Sequence, residues 1–81
     1  MTKLDKLMAE LTDYEVEVIK KALEIPDNKK EAEGMTSDEI AEEVVLTLSW
    51  HYKDSPPEVK NPAQAREELW KKWEKIKKEF A

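Results

Sequence analysis

An all-α fold is predicted by three features of the chain. Apolar residues recur every three or four positions through most of its length. Four stretches open with helix-start signals at Thr2, Thr12, Ser37 and Asn61. A single glycine is too few for the turns of a β-rich fold. The expectation is one small helical domain over residues 1–81, with three main helices and a short fourth at the N-terminus. The connection after Pro26 is long for a tight hairpin, so oblique helix packing is expected.

Each element has its own signal. Thr2 can cap a first short helix, along which Leu4, Leu7, Met8 and Leu11 form one apolar stripe. Thr12-Asp13-Tyr14-Glu15 is a capping-box pattern, so a second helix should start at Asp13. Its apolar residues, Tyr14, Val16, Val18, Ile19, Ala22, Leu23 and Ile25, cover more than half its circumference, as expected of the central helix. Pro26 should stop it. Residues 26–36, PDNKKEAEGMT, are polar and read as a loop. Ser37 then caps a helix running to about Lys53, with Asp38 and Glu39 at its positive end. The segment DSPPEVKN is a proline-stiffened connection. Asn61-Pro62-Ala63-Gln64 starts the last helix, which runs to about Phe80 with Ala65, Leu69, Trp73, Ile76 and Phe80 on its core face.

Composition excludes several kinds of chemistry. The absence of cysteine removes disulfides, thiolate chemistry and Cys-type zinc sites. The single His51 removes any site that needs two histidines. No Ser/His/Asp arrangement, glycine-rich phosphate loop or EF-hand spacing occurs, so no catalytic residues, metal or cofactor are expected. Residues 1–61 hold 8 Lys+Arg against 15 Asp+Glu, and residues 62–81 hold 6 against 4. So acidic a body disfavours nucleic acid and anionic membrane. No apolar run is long enough for a signal segment or a membrane span, and a soluble, cytoplasmic or recombinant setting is expected.

The strongest functional signal is VLTLSWHYKD, residues 45–54. At about 100° per residue with Ile40 at zero, the core residues Val44, Leu48, Ala41, Tyr52 and Val45 fall between roughly 40° and 140°. Leu46 lands near 240° and Trp50 near 280°, among Glu39, Glu42, Glu43 and Lys53. An apolar pair on an acidic face has two readings. Either the N-terminal helix covers it, or it is an exposed anchor for a partner, a role in which tryptophan is enriched. The second reading makes Leu46, Trp50, Ser49, Lys53 and Glu43 candidate protein-binding residues, with Ser49 and Thr47 small enough for close approach. His51 reads first as a boundary residue at the helix end, and second as a pH-sensitive contact.

The C-terminal run NPAQAREELWKKWEKIKKEF resembles in style the helices of engineered proteins: an ideal cap, a Glu/Lys surface and a regular apolar stripe. The irregular PDNKKEAEGM and DSPPEVKN segments look more like a natural scaffold. The resemblance implies a designed binder built on a natural helical domain. The expected function is a non-catalytic protein-binding module presenting the 46–53 helix surface to a protein target. A self-associating domain is a second possibility, making the chain a monomer or a homodimer. A small helix-turn-helix regulator, suggested by MTSDEIAEEVV, is a third.

Overall fold

The computed structural model describes all of residues 1–81 and contains helices only: α1 (Lys3–Glu10), α2 (Asp13–Leu23), α3 (Pro26–Glu33), α4 (Ser37–Lys53) and α5 (Pro62–Glu79). There are therefore five helices rather than three or four. The additional one is α3, in the segment that reads as a loop. Pro26 does end α2, but it also occupies the first turn of α3, where its missing N–H costs nothing. Asn28 Nδ2 donates to the Ala22 carbonyl at 3.0 Å and ties the new helix to the end of α2. No residue of α3 is buried.

The start signals correspond to real caps. Thr2, Thr12 and Thr36 each form a reciprocal capping box with the acid three residues on, and Asn61 accepts the Gln64 N–H. The cap of α4 is Thr36 rather than Ser37, because Glu39 completes the box with Thr36.

The centre of the molecule is α4, not α2. It buries Ala41, Val44, Val45, Leu48, Ser49 and Tyr52, and packs against α1, α2 and α5. Helix α2 buries only Glu15 and Ile19 and leaves Leu23 and nearby Ile25 substantially exposed. Leu7 of α1, Leu11 at its C-cap, and Leu69, Trp73 and Ile76 of α5 complete the core. Phe80 falls outside it, 38% exposed, because the helix has ended and the residue is its C-cap. The molecule is flat, with extents of 33 × 32 × 18 Å. In so flat an assembly even the central helix is covered on one side only. No helix is long and apolar enough to cross a membrane.

Two polar contacts join α2 to α4. The Tyr52 hydroxyl donates to Glu15 Oε2 at 2.8 Å, while Glu15 Oε1 accepts the Thr12 N–H at 2.9 Å. One buried carboxylate thus closes the cap of α2 and receives the tyrosine of α4. Beside it, the Tyr14 hydroxyl is hydrogen-bonded to His51 Nε2. Burial, and then the hydrogen bond and negative charge of Glu15, hold the Tyr52 phenol well above its ordinary range. A phenol whose pKa is raised on folding contributes stability below its unfolded value of about 10, and that contribution is lost as pH rises beyond it. Urea midpoints should therefore fall above about pH 10, and Tyr52→Phe should make that fall shallower. An alkaline limb equally steep in the variant would show that Tyr52 does not carry it.

Candidate protein-binding surface

Helix α4 divides into two faces. Its six buried residues lie within one arc of roughly 140°, and Trp50 is nearly diametrically opposite the middle of that arc. Trp50 is 61% exposed and Leu46, one turn before it, is half-buried. The N-terminal helix does not cover Trp50. Helix α1 turns Leu7 into the core between α4 and α5 instead. Other large apolar side chains show at the surface, but Met1 and Phe80 are at the chain ends, and Leu23 and Ile25 flank the α2–α3 junction. Trp50 is the one within the chain's central helix, in its last turn.

The predicted site residues do not all share this face. Glu43 and Lys53 are exposed and border Leu46 and Trp50. Ser49 does not: it is 1% exposed, at the edge of the α4–α5 seam. Its Oγ accepts from Arg66 Nε at 2.7 Å and from the Trp70 indole Nε1 at 3.0 Å. Ser49 is a joint between helices, and a small residue there lets α5 come close. His51 lies on the other flank of α4, half-buried against Tyr14, with its ring tilted against that of Tyr52. It is part of the α2–α4 contact rather than of the Trp50 face.

Trp70, whose position suggests packing under the 54–61 connection, instead reaches the α4–α5 seam. It is half-buried, and its bond to Ser49 places it on the seam next to the exposed side of α4. It lines a cleft with Lys53 and Arg66. The signal was its position, about 60° off the core stripe of α5 beside Arg66. On the other side of Trp50, Glu43 and Thr47 border a small apolar cavity of about 100 Å³, closed by Ile19, Leu23 and Ala32 of α2 and α3. Leu46 and Trp50 thus form a ridge between two depressions.

Carboxylates precede the ridge. Glu39, Glu42 and Glu43 are all exposed, and the three ion pairs of the chain, Lys20–Glu17, Lys71–Glu67 and Lys77–Glu74, involve none of them, although Glu39 and Glu42 share a surface pocket with Lys3 and Lys77. Lys53 is the only cation on this face of α4. No group of three or more His, Cys, Asp or Glu side chains is arranged to hold a metal ion. Lys72, which the helical pattern puts on the polar side of α5, is instead a structural contact: its Nζ donates to the Glu10 carbonyl at 3.2 Å, at the end of α1.

No protein-family model, curated protein or solved structure matches this chain.

The division of faces has a stability consequence. Trp73→Ala, which empties a core position only 3% exposed, should cost about 3–5 kcal/mol. Trp50→Ala should cost less than about 1 kcal/mol, as a surface change. Ser49→Ala, which removes an acceptor shared by two donors, should cost about 1–2 kcal/mol. Urea melts of the three variants check the assignment, and equal losses for Trp50→Ala and Trp73→Ala would refute it.

Proposed function

We propose that the chain is a non-catalytic protein-binding module that presents the outer face of α4, with Leu46 and Trp50 as its apolar anchor. The observation that carries this reading is the exposure of Trp50 opposite the core of its own helix. Covering a tryptophan removes roughly 150–250 Å² from water, worth several kcal/mol before the costs of association. Glu42, Glu43 and Lys53 supply a polar rim, and Trp70 extends the apolar surface across the seam onto α5. The engineered style of α5 makes a designed binder on a natural helical scaffold one form of the same proposal.

Charge ranks the two other readings lower. A parallel twofold through this face would set each copy's Glu39, Glu42 and Glu43 near those of the other, and an antiparallel one would offer those three carboxylates only Lys53 of the other copy's α4. A helix-turn-helix regulator would have to present the same carboxylates to phosphates. The domain accordingly should be a monomer in dilute solution and should not be retained on DNA.

The test uses the wild type and Trp50→Ala as baits, followed by titration of the captured protein. Trp50→Ala should weaken binding by at least about 2 kcal/mol, roughly thirtyfold, mainly through a faster off-rate. Lys75→Ala, an exposed site on the far side of α5, should change it by less than about 0.5 kcal/mol. Unchanged affinity for a folded Trp50→Ala would sink the proposal. Concentration-dependent dimers in sedimentation, lost in Trp50→Ala, would favour self-association instead.

A further inference from the structure

We infer that the partner segment docking on Leu46 and Trp50 is a cationic amphipathic helix, with its Lys or Arg residues on one side of its apolar anchor. The inference rests on the binding-surface reading above and adds the chemistry of the occupant. Its basis is charge complementarity along the exposed side of α4. Glu39, Glu42 and Glu43 lie three to seven residues before Leu46, so they stand about 4.5–10.5 Å along the helix axis from the start of the apolar ridge. All are exposed and none is in an ion pair within the chain. Glu39 alone has an internal task, accepting the Thr36 N–H in the cap of α4 at 3.2 Å. Glu42 lines a shallow pocket with Lys3 and Lys77 without an ion pair to either, and Glu43 makes no polar contact. Glu31 of α3 adds a further carboxylate at the cavity that Glu43 borders.

The opposite end of the ridge is mixed in charge. Lys53 closes α4 one turn beyond Trp50, followed by the C-cap Asp54, and Arg66 and Glu67 line the adjoining cleft, Glu67 being paired with Lys71. The face therefore runs from an excess of carboxylates, past Leu46 and Trp50, to a near-neutral end that holds its own cations. A helix lying along α4 with an apolar anchor at the ridge meets this gradient favourably in one orientation only. It must direct Lys or Arg toward Glu42 and Glu43, within two turns of its anchor. An acidic helix would face three carboxylates. A neutral one would desolvate some of them without recompense. Complementary charges of this kind raise the on-rate and fix register, while the apolar anchor holds the complex.

A phage-displayed library of helical peptides of about 18 residues, randomised at surface positions, makes no assumption about charge and serves as the probe. Peptides selected on the full chain are titrated calorimetrically against the wild type, Trp50→Ala and the double variant Glu42→Lys/Glu43→Lys. Both replaced residues are exposed and unpaired, so the double variant keeps the fold, which circular dichroism verifies. Peptides that depend on Trp50 should be net positive, with Lys or Arg three to seven residues to one side of the anchor. They should lose at least about tenfold in affinity for the double variant, and a similar factor between about 50 and 500 mM salt. Trp50-dependent peptides that are neutral or acidic, and indifferent to the double variant, would overturn this inference while leaving the surface reading intact. A selection that yields no Trp50-dependent peptide would overturn both.

Discussion

The structure depends on the one-sided burial of α4. Three helices, α1, α2 and α5, bury an arc of roughly 140° of its circumference, His51 and Ile40 pack at its flank, and the side opposite the arc meets solvent. The arc contains Ala41, Val44, Val45 and Leu48, which supply apolar contact, and Tyr52 and Ser49, which supply polar contact at its edges. A domain of 81 residues has little core to spare, and only 14 residues are buried, so the helix that organises the core cannot also be enclosed by it. The exposure of Trp50 is a consequence of where it falls on that helix.

The polar contacts decide how the surrounding helices sit. Glu15 is the clearest case: it lies inside the protein, closes its own helix's cap and receives the Tyr52 hydroxyl from α4. A buried carboxylate is costly unless hydrogen-bonded, and here both its oxygens are occupied, which restricts α2 to one register against α4. Ser49 does the same for α5, collecting a guanidinium and an indole on one oxygen. Lys72 ties α5 to the last turn of α1. These contacts are specific where apolar packing is permissive, and they leave the carboxylates of the outer α4 face free.

What could be read from the residues alone followed from local chemistry. The caps at Thr2, Thr12 and Asn61 appear where their side chains and the residues three positions on require them. The core arc of α4 and the burial of Trp73 follow from apolar spacing. Helix α3 was not legible because it buries nothing; periodicity detects a helix by its apolar face, and PDNKKEAE has none. Its good helix formers and N1 proline were the weaker, available signal. The prominence of α2 was overread because its apolar residues do not all find neighbours: Leu23 and Ile25 remain in solvent. Ser49 looked like part of the outer face because a helical projection shows angle without showing neighbours. Helix α5 closes over its side, which only the tertiary arrangement reveals. Trp50 is exposed, as its angle on α4 indicates, because no helix packs over that side.

One-sided packing of α4 requires two of the tryptophans to differ in solvent access in the isolated domain. Hydroxyl-radical footprinting with mass spectrometric readout reports the solvent access of each indole in one sample. Trp50 should be oxidised fastest of the three tryptophans, Trp73 should be protected until the chain unfolds, and half-buried Trp70 should fall between them. Protection of Trp50 equal to that of Trp73 in the monomer would contradict the one-sided packing of α4 and remove the basis for a binding surface there.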